Sequence, residues 1–350
     1  MKVEIIPYTL ILKSPGGTSR GILKTKDTWI LKLEENGRIG WGEIGLFRGL
    51  SYDDKPEFDS KLLELKLSIE MGTGLSQLLI SFIDWPAIRF GVEQAFTSLA
   101  SENPFSLTSS AFLENSEPIV INGLVWMGDI SFMKSQIDEK LRQGFHCIKL
   151  KIGAINFERE IELIESIRKS FSEKEVEIRV DANGAFSLID AKLKLKRLFD
   201  FKIHSIEQPI KQGQIEEMRK LCSETQIPIA LDEELIGINH YREKVDLLVN
   251  IKPQYIILKP SLLGGWKSCD EWIDIAESLN IGWWVTSALE SNIGLNAIAQ
   301  YVATKQSKMP QGLGTGELFN NNFTSPLEVK NGSLYYNSNS NWDLKTLVNG

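Results

Sequence analysis

Cys147-Ile-Lys-Leu-Lys-Ile152 is a short β-prone run, and four more of its kind follow at intervals of one helix: Glu177-Ile-Arg-Val-Asp181, His204-Ser-Ile-Glu-Gln208, Ile227-Pro-Ile-Ala-Leu231 and Tyr255-Ile-Ile-Leu-Lys259. The segments between them, among them Phe157–Ser170, Leu188–Phe199, Gln214–Ser223 and Trp266–Leu279, carry helical patterns. Outward from this block, Ile119–Trp126 supplies an earlier strand, and Trp283–Ser287 and Gln311–Gly314 supply two later ones. Eight β units separated by seven helices point to a closed parallel barrel. An open doubly wound sheet is the weaker alternative, because no phosphate-binding glycine loop follows its first strand.

The first hundred or so residues read differently. Thr28–Leu33 and Ile39–Ile44 flank Asn36-Gly37, a strong hairpin turn. Ser14–Gly21 is rich in glycine and reads as a loop suited to moving. Helical patterns run through Lys61–Met71 and Pro86–Ala100, with Pro86 placed for a first turn. Residues 103–118 read as a linker. Beyond Glu317 no amphipathic helix is evident, and Asn331-Gly332 predicts a hairpin returning to the N-terminal unit.

Composition removes several function classes. The net charge of −7 argues against a nucleic-acid footprint. Cys147, Cys222 and Cys269 are scattered, which argues against a disulfide framework or a CxxC zinc site. His146, His204 and His240 never pair at metal-binding spacing, and His204, on a probable strand, reads as a wall residue. No GxSxG elbow or Walker loop appears, and Gly312-Leu-Gly314-Thr-Gly316 lacks dinucleotide spacing. Without a leader pattern or an apolar run of membrane length, a soluble cytoplasmic protein with no membrane partner is expected.

Parallel strands are ordinarily near-continuous apolar runs, so charges at their C-terminal ends are informative. Here the ends carry Lys149 and Lys151, then Asp181, Glu207, Asp232 and Lys259, with intervals from Lys151 of 30, 26, 25 and 27 residues. Each interval is one βα unit, so these groups belong on consecutive staves around one mouth. Taken singly, Asp181 could serve a turn, Glu207 an ion pair and Asp232 a helix cap. Three carboxylates in one small space repel, forcing protonation or demanding a cation. Oxygen-only donors favour Mg²⁺ first and Mn²⁺ second.

Lys149 and Lys151 are two apart and leave the same strand face. A lysine among other cations has its pKa lowered, which makes it a usable base. Of the three lysines, Lys149 is the one whose long stem could most readily reach solvent. A divalent ion between two lysines suits proton abstraction next to a carboxylate, with one cation stabilising the enediolate and the other lysine moving the proton. General enzymology already couples Lys bases with Mg²⁺ in the enolase superfamily, so this is a match to a described pattern.

The chain resembles the enolase superfamily, specifically its muconate-lactonizing subgroup. Lys149-Leu-Lys151 resembles that subgroup's KxK motif, and Asp181-Ala-Asn183-Gly, Glu207-Gln-Pro209, Asp232-Glu233 and Lys259-Pro260 resemble its later elements in order. The resemblance implies a (β/α)₇β TIM-like barrel over 116–316. It also implies an α+β capping domain formed by 1–115 and by a C-terminal segment, 317–350, that returns to it. It implies Lys151 and Lys259 as catalytic residues, Asp181, Glu207 and Asp232 as Mg²⁺ ligands, and a small-molecule carboxylate as substrate. Lys149, Asn183 and Ser287 are candidate substrate contacts; the Ser14–Gly21 loop is expected to close over the mouth, with Arg20 a candidate contact for a substrate carboxylate and a solvated loop arginine the alternative.

Within the subgroup, Asn122–Gly128, Ser287–Gly294 and Gln311–Gly316 resemble its dehydratases of menaquinone biosynthesis. The Asp-x-Asp clamp of dipeptide epimerases is absent, since Gly314-Thr-Gly316 stands there, and no His lies on the seventh strand. The alternatives are an N-succinylamino acid racemase or another racemase or epimerase of the subgroup, and a non-catalytic metal-binding barrel. Oligomeric state is not legible.

Overall fold

The computed structural model describes residues 1–18, 21–114, 117–305 and 307–347. The N-terminal unit is an antiparallel sheet of β1 (Lys2–Thr18), β2 (Gly21–Glu35) and β3 (Arg38–Gly45), in that order. Asn36 and Gly37, with φ of 51° and 77°, make the expected two-residue turn between Glu35 and Arg38. One sheet face carries Leu31, Leu33 and Ile44 and is covered by helices α1 (Phe58–Glu70), α2 (Leu75–Ser81) and α3 (Pro86–Ala100). At Gly42 a Cβ would fall 2.1 Å from the Gly91 carbonyl oxygen, so the absent side chain lets α3 lie directly on the sheet.

The glycine-rich stretch corrects one expectation. Ser14–Thr18 belongs to β1, with Gly16, Gly17 and Thr18 paired to Leu23, Ile22 and Gly21 after a register shift. The β1–β2 ribbon therefore runs on past the sheet as a twisted pair rather than as a free loop. Its tip leans on the barrel: Gly17 bridges Met127, and a Cβ there would stand 2.5 Å from the Met127 carbonyl oxygen. Arg20 lies outside the described residues.

The chain then enters the barrel. Its expected first strand divides into β4 (Ile119–Val120) and β5 (Gly123–Val125). There follow α4 (Ile130–Arg142), β6 (Cys147–Lys151), α5 (Phe157–Ser170), β7 (Glu177–Asp181), α6 (Leu188–Phe199), β8 (Ser205–Glu207), α7 (Ile215–Glu224), β9 (Ile229–Leu231), α8 (Tyr241–Ile251), β10 (Tyr255–Leu258), α9 (Pro260–Leu263), α10 (Gly265–Ser278), β11 (Gly282–Val285) and α11 (Asn292–Ala303). Strands β5 to β11 form one parallel sheet in sequence order. The eighth stave is only a pair of parallel bridges, Ile121 to Gln311 and Thr286 to Gly312. Its backbone bonds run to both neighbours: Asn122 N–H donates to Gln311 O at 2.9 Å, and Gly312 N–H donates to Val285 O at 2.8 Å. The barrel is thereby closed.

Local chemistry explains the regularity. Asp129, Asn156, Ser187 and Ser291 each accept a backbone N–H at the start of α4, α5, α6 and α11. The strands are buried on both faces, as at Ile178 and Val180 on one side of β7 and Arg179 and Asp181 on the other. His204 packs its ring on Tyr255 at 5.0 Å, a wall residue as the sequence indicates. All three cysteines are free and buried. Among the described residues no helix is long and apolar enough to cross a membrane.

After the barrel, β12 (Leu327–Lys330) and β13 (Ser333–Tyr336) form the hairpin expected at Asn331-Gly332. It does not return to the N-terminal sheet: β13 pairs with β4 and covers the N-terminal end of the barrel. The flanking residues reach the N-terminal unit instead. Tyr8 Oη donates to Asn321 O at 2.6 Å, and Phe105 stacks on Trp342 at 4.1 Å.

Candidate active site

Register brings the charged strand ends together. Lys151, Asp181 and Glu207 are laterally paired across β6, β7 and β8, and Asp232 follows β9 directly. Lys259 follows β10, four staves from Lys151, which in an eight-stave barrel is the far side of the mouth. Lys149 Nζ lies 3.0 Å from Asp181 Oδ2 and also pairs with Glu207 Oε2. Lys151 Nζ donates to Asp181 Oδ2 at 2.9 Å and to Asn183 Oδ1 at 2.7 Å. Lys259 Nζ pairs with Asp232 Oδ2. Asn183, at φ 44°, also donates Nδ2–H to Glu233 Oε1 at 3.0 Å, so both ends of its amide are engaged.

The electrostatics follow from burial and neighbours. Burial pushes the Asp181 carboxyl up, but the ammonium groups of Lys149, Lys151 and Lys259 outweigh it and hold the group well below the usual carboxylate range. Burial, together with the adjacent Asp181 and Asp232 carboxylates, holds Glu207 well above that range. This is the mutual repulsion that three strand-end carboxylates imply. Lys149 and Lys259 resist burial through their carboxylate partners, and both are held above the ordinary lysine value. The expected lowering therefore does not hold for either, because their immediate neighbours are anions. Nor does Lys149 reach solvent: its side chain is 8 % exposed, against 13 % for Lys151 and for Lys259.

Among the described residues no three carboxylate, His or Cys side chains converge as a metal cage, since ammonium groups stand between the carboxylates. The donor set nonetheless fits a hard divalent cation. Asp181, Glu207 and Asp232 are all buried, offer oxygen only, and sit on adjacent staves. Glu207 Oε1 is buried with no hydrogen-bond partner, a free lone-pair site within the anionic cluster.

A cavity of ≈ 430 Å³ opens over these groups, with Lys149, Lys151, Asn183, Lys259, Ser287 and Thr315 on its lining. Its apolar wall comes from separate parts of the chain, with Phe47 and Leu50, Trp126, Leu289 and Leu318 among its residues. Ser287 Oγ–H donates to Glu290 Oε2 at 2.6 Å. Glu290 and Thr315 were not legible as site residues. Glu290 lies in Ser287-Ala-Leu-Glu-Ser291 with nothing in its spacing to give it a role, and Thr315 lies in a glycine run whose spacing marks no ligand site.

Comparison with known proteins agrees with this geometry. A family model described as enolase C-terminal domain-like matches residues 133–339. An o-succinylbenzoate synthase of Desulfotalea psychrophila is 46% identical over 354 residues, covering 93% of this chain and 96% of its own. The crystal structure of MenC from Desulfotalea psychrophila LSv54 superposes with a TM-score of 0.85 at 41% identity, covering 96% of this chain and 99% of that one. An N-succinylamino acid racemase of Thermus thermophilus is 30% identical, covering 84% of this chain and 80% of its own. The chain belongs to the enolase superfamily, through its enolase C-terminal domain-like fold.

Proposed function

We propose that this chain is a lyase catalysing the o-succinylbenzoate synthase reaction, the syn-dehydration of 2-succinyl-6-hydroxy-2,4-cyclohexadiene-1-carboxylate. The observation that carries the reading is the pair of lysines, Lys151 and Lys259, facing one another over buried strand-end carboxylates in a chain 46% identical to such a synthase.

Lys151, as the amine, takes the proton alpha to the ring carboxylate, and the C–H electron pair moves into the carboxylate to give an enediolate. The resulting ammonium returns that proton to the departing hydroxyl as the C–O bond breaks, so water leaves and the ring becomes aromatic. One residue can serve both steps because proton and hydroxyl leave from the same face. Asp181 and Asn183 orient the Lys151 nitrogen from two directions. Lys259, held charged by Asp232, places a fixed cation opposite. Mg²⁺, or Mn²⁺, held by Asp181, Glu207 and Asp232, would supply further positive charge for the substrate carboxylate. Lys149 keeps Asp181 and Glu207 in place between the staves. The apolar wall of the cavity excludes water from the enediolate.

A role in menaquinone biosynthesis and a cytoplasmic location belong to the same proposal. The test is formation of o-succinylbenzoate by the purified protein, with and without EDTA. No product in the presence of excess Mg²⁺ contradicts the reading. The 30% identity to an N-succinylamino acid racemase supports a second reading, in which Lys151 and Lys259 act as opposed bases. Racemisation of an N-succinylamino acid at a rate above dehydration would favour it.

A further inference from the structure

A directed chain of hydroxyl groups ends at a buried carboxylate beside the cavity. Thr315 Oγ1–H donates to Ser287 Oγ at 2.8 Å, and Ser287 Oγ–H donates to Glu290 Oε2 at 2.6 Å. Glu290 is fully buried and also accepts the Ala288 N–H at 2.7 Å and the Ser261 hydroxyl at 2.5 Å. A carboxylate only accepts, so the direction of the chain is fixed from its buried end. The Ser287 oxygen is in turn used twice as an acceptor, by Thr315 and by the Leu289 N–H at 3.1 Å. Ser287 thus has no proton left for a ligand. Thr315 does, because its own donor bond ends on a neutral hydroxyl and can be exchanged for a stronger one to an anion.

We propose that Thr315 is the hydroxyl that donates to a carboxylate oxygen of the bound substrate, and that Glu290 is the positioning residue that sets this polarity through Ser287. The inference rests on the reading of the cavity as a carboxylate site and sharpens it, since Ser287 was the contact expected from sequence. Thr315 and Ser287 both line the cavity beside Lys259, and Ser261, the other hydroxyl bound by Glu290, is two residues beyond that lysine. Glu290 therefore ties two adjacent stave ends to one carboxylate.

The test is calorimetric binding of o-succinylbenzoate and of an N-succinylamino acid to the Mg²⁺-loaded protein, with KM and kcat measured alongside. Thr315→Val should weaken binding about tenfold or more through loss of a bond to a charged group, and should raise KM more than it lowers kcat. Thr315→Ser should restore both. Ser287→Ala should bind more tightly than wild type, by about threefold, because Thr315 no longer has a competing acceptor. Glu290→Gln should weaken binding in the wild-type background and have little further effect with Thr315→Val, a non-additivity that a merely structural role would not give. Weaker binding by Ser287→Ala with unchanged binding by Thr315→Val overturns the assignment. Failure of wild type to bind either probe overturns the carboxylate-site reading itself, and the Thr315 assignment with it. Melting temperatures identify any unfolded variant, and Thr315→Ala then replaces Thr315→Val.

Discussion

Lys149 and Lys151 set their ammonium groups against the same oxygen of Asp181, Oδ2, at 3.0 and 2.9 Å. They divide the work from there. Lys149 spans two staves by adding Glu207, whereas Lys151 adds the side chain of Asn183. The first is a counter-ion for buried carboxylates, and the second is the one to which the proposed mechanism gives the proton transfer.

Lys149→Met should therefore act on stability as well as on turnover. Removing one partner of a buried ion pair leaves its carboxylates uncompensated, at a cost of about 3 kcal/mol or more. Urea denaturation of the metal-free protein measures this, and added Mg²⁺ should recover part of the loss. A midpoint equal to that of wild type would remove the counter-ion role.

Asp181→Asn, Glu207→Gln and Asp232→Asn should each abolish metal-dependent dehydration while circular dichroism stays that of a folded barrel. On the proposed ligand set, each change deletes one anionic oxygen donor to a hard cation. Activity near wild type in two of the three, at the same Mg²⁺ requirement, would show that these are not the ligands.

Metal-free stability should fall as pH rises from about 5 to about 8. Burial pushes the Glu93 carboxyl up from 4.5 to about 7, against the Trp266 and Lys267 N–H groups it caps and the charge of Arg89. Burial likewise pushes Asp53 up to about 7. Between the unfolded and folded values the native state holds protons that the unfolded chain has lost. The stabilisation is therefore full at the acid end and disappears as pH passes about 7, on the order of 3 kcal/mol for Glu93. Glu93→Gln should flatten the slope of the urea midpoint against pH, and an unchanged slope would contradict this origin.

The ribbon tip should matter to binding. Gly17→Val would drive a side chain into the Met127 backbone and lift the β1–β2 tip from the barrel mouth. KM should rise severalfold, with melting changed little because the tip lies outside the main core. Equal KM for variant and wild type would separate the tip from the site.

The strand-end charges were legible because a closed parallel barrel leaves few places for Lys, Asp and Glu, and one βα unit separates each from the next. Hence Lys151, Asp181, Glu207, Asp232 and Lys259 could be placed on one mouth from spacing alone. Local composition misled at Ser14–Thr18, where Pro and Gly suggest a loop but pairing with β2 and contact with Met127 hold a ribbon. It also hid Leu75–Ser81, a seven-residue helix whose buried Leu78 and Leu79 are too few to show a period. Glu290 and Thr315 escaped for a different reason. Their roles lie in hydrogen bonds across 28 and 29 residues, to Ser287 and Ser261, and no spacing rule marks such bonds. The same holds for Glu43, which reaches 248 residues to Ser291.

Dehydration by Lys151→Arg and Lys259→Arg, with solvent-deuterium exchange into an N-succinylamino acid measured in parallel, is the most direct test of the two lysine roles. Arginine keeps the charge but cannot act as a base near neutral pH. Lys151→Arg should form no o-succinylbenzoate, whereas Lys259→Arg, which still presents a cation, should retain a measurable rate. Dehydration by Lys151→Arg comparable to wild type would contradict the assignment of Lys151 as the residue that moves the proton.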